Sequence, residues 1–237
     1  MTTTSDESSS RRTFIVQLAS SAAVASLAAC TTQAAPAPAP APAQVLTGPP
    51  PKQVFEDSWT TRVMAAQHKA VFDSPEIDDG LALWQASTVG RGYDTVLGAG
   101  QSWVPVVVLR HKALPMALND AMWDKYGIGQ LLKLKDPVSG APARRNPFHD
   151  VAAASQYAMV GPDTSIKGLI DKGGVILACN LAAMAYAGQT ARRLKLDVAG
   201  VRTDFLANMA PGVMLQPSGI YAVVRAQDAG CRFLRST

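Results

Sequence analysis

From residue 70 onward, short unbroken apolar runs take turns with longer amphipathic stretches. Ala70-Val71-Phe72 is the first such run, and Asp73-Ser74-Pro75 ends it. Val104-Pro105-Val106-Val107-Val108-Leu109 is continuous and rich in β-branched residues, as a strand buried on both faces reads. Gly174-Val175-Ile176-Leu177-Ala178-Cys179 repeats that pattern, Gly212 to Pro217 gives a further strand, and Cys231 to Leu234 a last one. Between them the period is helical. Glu76 to Val89 places Ile77, Leu81 and Trp84 on one face, with Ser74 before Pro75 as an expected N-cap. Ala113 to Tyr126 reads as one helix, and Leu181 to Leu194 as an Ala-rich helix with Arg192-Arg193 in its last turn. A cap at Asp163 or Thr164 predicts a helix through Ile170. Ser218 predicts a cap for Gly219 to Asp228, which Gly230 stops. Strands that are apolar throughout, separated by helices, predict an α/β fold with a mostly parallel sheet and helices on both faces.

Two regions break the alternation. Residues 131–162 hold Asp136-Pro137, Gly140, Pro142, Arg144-Arg145-Asn146-Pro147 and Gly161-Pro162. They read as a long irregular insertion, with a short helix around Val151 to Tyr157, and segments of this length tend to carry function or cover a site. The N-terminal region is the other. Arg11-Arg12 precede an uncharged run, Phe14 to Ala29, shorter and less apolar than the roughly 20 residues of a membrane span. This reads as a twin-arginine export signal over residues 1–30, and places the mature protein in the periplasm. Leu27-Ala28-Ala29-Cys30 resembles the lipobox of bacterial lipoproteins, in which the cysteine receives lipid; the other reading is ordinary cleavage, as after Ala23-Val24-Ala25, with Cys30 discarded. Membrane attachment is expected only through such a lipid. Residues 31–52 are an Ala/Pro-rich linker of extended polyproline character, and residues 53–237 form the domain.

Composition narrows the function classes. The formal net charge is +4, and the basic residues are scattered without an aromatic-interleaved patch, so nucleic-acid binding is not expected. Dinucleotide-fold glycine fingerprints, P-loops, nucleophile elbows and HExxH helices are absent from the sequence, so neither cofactor nor metal is expected. The three histidines are far apart, and no Cys or His pair has zinc-ligand spacing.

In parallel sheets ligands meet the carboxyl ends of strands. Cys179 ends one buried strand and Asn180 opens the next helix. There a thiol meets unpaired helix N–H groups and the positive end of the dipole, which favour the thiolate. Arg110 and His111 follow the strand through Leu109 and are expected on the same edge, where a cation assists the thiolate or holds an anion. Cys231 starts a strand, so a parallel arrangement puts it at the opposite edge. A strand of five or six residues is about 17–20 Å long, and a disulfide needs Cα atoms within about 7 Å, so Cys231 is expected to pack rather than pair with Cys179.

The segment Gly174 to Asn180, a helix, and then Met209-Ala210-Pro211-Gly212-Val213-Met214-Leu215-Gln216-Pro217-Ser218-Gly219-Ile220 resembles the DsrE/DsrF-like family of sulfur-relay proteins, as does Val107 to Pro115. The resemblance covers about residues 68–237, with 131–162 as an insertion. The chain departs from the family where a His-Gly often stands and this sequence has Arg110-His111, and in carrying an export signal. The resemblance implies a flavodoxin-like or Rossmann-like sandwich, a homo-oligomer, and a sulfur-accepting role for Cys179. The function expected is thiol-based sulfur transfer or redox chemistry with a donor or acceptor protein, Arg110 and His111 supporting the thiolate and the 131–162 loop shielding it. The alternative is a non-catalytic periplasmic oligomer that binds a small anion or a partner protein through Arg144-Arg145 and that loop.

Overall fold

The structure is a computed structural model that describes residues 55–152 and 157–237. The expected signal with Arg11-Arg12, the candidate lipidation at Cys30 and the whole linker lie outside the described residues, as does most of the short helix expected around Val151 to Tyr157. The described residues belong to one compact unit, Pro51–Thr237.

Five strands form a wholly parallel sheet: β1 (His68–Ser74), β2 (Trp103–Leu109), β3 (Val175–Cys179), β4 (Val213–Gln216) and β5 (Arg232–Arg235). Their order is β4-β3-β2-β1-β5. The helices are α1 (Trp59–Ala65), α2 (Leu81–Leu97), α3 (Asp120–Tyr126), α4 (Ile128–Leu132), α5 (Ile166–Asp171), α6 (Asn180–Leu194), α7 (Val198–Ala207) and α8 (Gly219–Asp228). The expected α/β architecture is observed, with helices on both faces of the sheet.

Period-two alternation splits the buried strand residues between two cores. Phe72, Val107, Leu109, Ile176 and Ala178 face α2, α5, α6 and α7, where Leu83, Leu169, Ala187 and Phe205 meet them. Val71, Val106, Val108, Val175 and Leu177 face α1 and α8, meeting Trp59, Val63, Ala222 and Ala226. Burial of each large side chain among these stabilises the fold by roughly 1.5–3 kcal/mol.

Local structure departs from expectation in four places. The helix after β1 starts at Leu81, not Glu76, and runs to Leu97. Asp78, Asp79 and Gly80 all have positive φ, and the Ser74 hydroxyl donates to the Glu76 carbonyl rather than capping a helix. A Cβ on Gly80, at φ +83°, would collide with Val160 Cγ2, so glycine there admits both the turn and the packing. The helix expected over Ala113 to Tyr126 is two elements: a 3-10 helix, His111–Ala117, and then α3. Asn119 divides them by capping α3, its side chain accepting from the Met122 N–H at 3.2 Å. The cap of α5 is Ser165, which accepts from the Gly168 N–H at 3.0 Å, and not Asp163 or Thr164. Finally, α1, α4 and α7 have no counterpart in the pattern of strands and helices expected from the sequence. The cue for α7 was Asp197, whose carboxylate caps it by accepting from the Gly200 N–H at 2.7 Å.

Cys231 lies just before β5, beyond β1 and across the sheet from Cys179; both cysteines are free. Cys231 is 7% exposed and packs against the α1/α8 face. Burial pushes its thiol up from 9.0 to about 11, with Lys69 opposing the shift. Because the folded pKa is the higher one, this contribution is complete below about pH 9 and is lost as pH rises through about 11. Relative to Cys231→Ala, the parent chain should lose on the order of 2 kcal/mol of unfolding free energy across that window. Urea denaturation at intervals of pH measures it; parallel curves for the two proteins would refute the expectation.

Candidate functional site

Register brings the chemistry together. Leu109 pairs with Ala178, and Cys179 pairs with Gln216, so Arg110, Cys179 and Ser218 emerge side by side at the carboxyl edge of β2, β3 and β4. There they border a cleft of about 500 Å³, with the N-terminal half of α6 and the first turn of α8 as its walls. Cys179, Arg110 and His111, expected at one edge, all line it. Leu181, Ala182, Ala185, Tyr186 and Gln189 of α6 complete one side, and Gly219 and Ile220 of α8 the other.

Cys179 is the N-cap of α6. Its backbone is extended (φ −83°, ψ 114°), and its Sγ accepts from the Ala182 N–H at 3.3 Å. The thiol therefore meets one helix N–H, that of Ala182. It is 6% exposed and forms part of the cleft wall.

Arg110 is not a free cation. Its Nε and a terminal nitrogen donate to the two carboxylate oxygens of Asp73 at 2.6 and 2.8 Å, a two-pronged pairing. Register explains it: Asp73 lies opposite Val108, two residues before Arg110. The Asp73 hydrogen bond raises the Arg110 pKa above its usual range; burial opposes, while the charges of Asp73 and of an ionised Cys179 reinforce it. Arg110 and Cys179 thus lie within electrostatic reach of each other. The Arg110 stem runs against α8, where a Cβ on Gly219 would come within 2.5 Å of Arg110 Cβ and 2.8 Å of its Cδ.

His111 opens the 3-10 helix at φ +50° with its side chain 62% exposed. Its Nδ1 is 3.7 Å from Glu76 Oε1, and Lys112 Nζ is 3.2 Å from the same oxygen. Burial, and then the charge of Glu76, push the Tyr186 hydroxyl above its usual range, so it stays a protonated donor. The Ser218 hydroxyl caps α8, accepting from the Tyr221 N–H at 3.1 Å, as its sequence position predicted.

No described residue of 131–162 lines the cleft. The expected shield is instead packed along α3. Phe148 is fully buried, Asn146 Nδ2 donates to the Met116 and Leu118 carbonyls at 2.8 and 2.7 Å, and Arg144 and Arg145 pair with Asp124 and Asp120. Those two arginines fasten the insertion to α3. Asp73, Tyr186 and Leu181 were not singled out from sequence. Asp73 carried a usable signal, an acidic residue ending a buried strand.

Among the described residues no cluster of three or more Cys, His, Asp or Glu side chains is arranged to hold a metal ion. No helix among them is long and apolar enough to cross a membrane. No known family model and no curated protein matches the chain. Among solved structures it aligns with a protein of unknown function from Methanobacterium thermoautotrophicum, at 16% identity and a TM-score of 0.33, over 71% of this chain and 99% of that one.

Proposed function

We propose that the domain carries sulfur on Cys179, as an exported thiol-based sulfur-transfer protein. The observation that carries this reading is the placement of Sγ: a hydrogen-bonded cap on a 15-residue helix, in the wall of a cleft about 500 Å³ in volume. Sγ accepts the Ala182 N–H at the N-terminal, electropositive end of that helix. In the step proposed, the Cys179 thiolate attacks the outer sulfur of a donor persulfide, R–S–SH. An Sγ–S bond forms, the donor S–S bond breaks, and its electron pair leaves on R–S⁻. The product is a Cys179 persulfide, which an acceptor thiolate discharges by the same exchange. In this reading His111, exposed and in the cleft lining, returns a proton to the leaving thiolate. The resemblance of residues 174–220 to the DsrE/DsrF-like family supports this reading. Export rests on Arg11-Arg12 and attachment on Cys30; assembly into a homo-oligomer accords with the exposed Tyr221 and Val224 on α8, outside the cleft lining.

A persulfide donor added to the protein should increase the mass of the Cys179 peptide by one sulfur atom, reversibly under reductant. Cys231 is an internal control, since burial keeps its thiol protonated up to about pH 11. Cys179→Ser should show no gain. Equal sulfur uptake by that variant, or none by the parent chain, would overturn the reading. The same exposed apolar residues of α8 favour a second reading, a binding module for a partner protein, in which partner binding survives Cys179→Ser.

A further inference from the structure

We infer that the cleft beside Cys179 selects a small organosulfur compound with an uncharged, apolar body, an aryl or alkyl disulfide or persulfide, over anionic sulfur donors. This rests on Cys179 as the sulfur-accepting thiol. The volume, about 500 Å³, suits a small molecule. The lips are apolar: Leu181, 63% exposed, stands on the first turn of α6, and Ile220, 70% exposed, on the first turn of α8. Ala182, Ala185 and the Tyr186 ring extend that surface inward. Large aliphatic groups left in water at both lips gain free energy when an apolar body covers them.

An anion finds little to hold it. Arg110 is committed to Asp73, and Lys112 forms an exposed pair with Glu76, so the two formal positive charges near the cleft are matched by two negative ones. One N–H at each helix N-terminus is also taken. Cys179 Sγ takes the Ala182 N–H of α6, and the Ser218 hydroxyl takes the Tyr221 N–H of α8. What remains is one nucleophilic sulfur bordered by hydrocarbon and an aromatic ring. With a disulfide R–S–S–R, the Cys179 thiolate forms an Sγ–S–R bond while R–S⁻ departs with the electrons of the broken bond.

Three disulfides test the inference: dithiodipyridine, aromatic and neutral; dithiobis(nitrobenzoate), aromatic and dianionic; and bis(hydroxyethyl) disulfide, neutral and polar. The rate of Cys179 modification by each is divided by its rate with free cysteine, which removes intrinsic reactivity. The normalised rate for dithiodipyridine should exceed the other two by about tenfold, the scale of a modest apolar pocket. The double substitution Leu181→Asn and Ile220→Asn, at exposed positions, should bring that ratio close to unity. Equal normalised rates in the parent chain, or a preference for the dianion, would overturn the apolar selectivity while leaving Cys179 a reactive thiol. Inertness of Cys179 to all three, with full reaction after unfolding, would overturn the sulfur-carrier reading and the selectivity together.

Discussion

Asp73→Asn should lower the unfolding free energy of the domain by about 3 kcal/mol, the low end for breaking a buried charge pair. The low end applies because the two side chains differ in exposure: Arg110 retains 28% and Asp73 only 9%. The Arg110 guanidinium would keep its charge, lose the opposing negative charge and lose one of its two acceptors to an NH2 donor, so the cost is that of an uncompensated, partly buried cation. Replacing both partners, Asp73→Asn with Arg110→Met, should recover much of the loss, because the unpaired charge disappears with its partner. Urea unfolding of the parent, the two single variants and the double variant closes the cycle. A single-variant loss below about 1 kcal/mol, or a double variant no better than the single, would show that the pair is an ordinary surface contact. The same substitution removes the negative charge that balances Arg110, so dithiobis(nitrobenzoate) should react faster with Cys179 in Asp73→Asn than in the parent chain.

Gly219→Ala is expected to destabilise by about 2 kcal/mol, within the range for overpacking a filled site. The sign is the informative part. At an ordinary helical position, alanine is better than glycine by up to about 1 kcal/mol. Here the new methyl would lie 2.5 Å from Arg110 Cβ, 3.2 Å from Cγ and 2.8 Å from Cδ. The tightest contact is with the root of the side chain, so no Arg110 rotamer relieves it, and either α8 or the backbone after β2 has to move. Both carry cleft residues, so the loss of stability should come with slower modification of Cys179 by dithiodipyridine. Thermal unfolding and the labelling rate check the two halves; a stabilised Gly219→Ala would mean that the close approach of α8 to Arg110 does not exist.

The elements legible in the sequence are those whose cause is local. The run Val104 to Leu109 reads as a strand because β-branched residues occupy both faces, and both faces are covered. Ser218 and Gly230 mark the ends of α8 through a hydroxyl cap and a left-handed glycine at φ +92°. Cys179, at the last position of an apolar run, was readable as a strand-end thiol for the same reason. Where the pattern misled, a distant contact had outweighed a local preference. The segment from Ala113 to Tyr126 has helical spacing throughout, yet the carbonyls of Met116 and Leu118 are held by Asn146, 30 and 28 residues away, and the chain turns there. The insertion at 131–162 looked like a cover for the thiol because it is long and irregular. Its direction was decided by Phe148 entering the core and by two arginines pairing with acids of α3.

By itself, then, the amino-acid order determined an α/β sandwich and placed a cysteine, an arginine and a serine at the ends of three strands, because side-chain period and capping chemistry act over a few residues. The folded molecule alone decided the strand order β4-β3-β2-β1-β5, the union of those three ends in one cleft, and the charge state of that cleft. Arg110 meets Asp73 across 37 residues of sequence, through the register of two parallel strands. Such pairings depend on which strands become neighbours, and that choice is made by burying both faces of the whole sheet at once rather than by any short stretch of the chain.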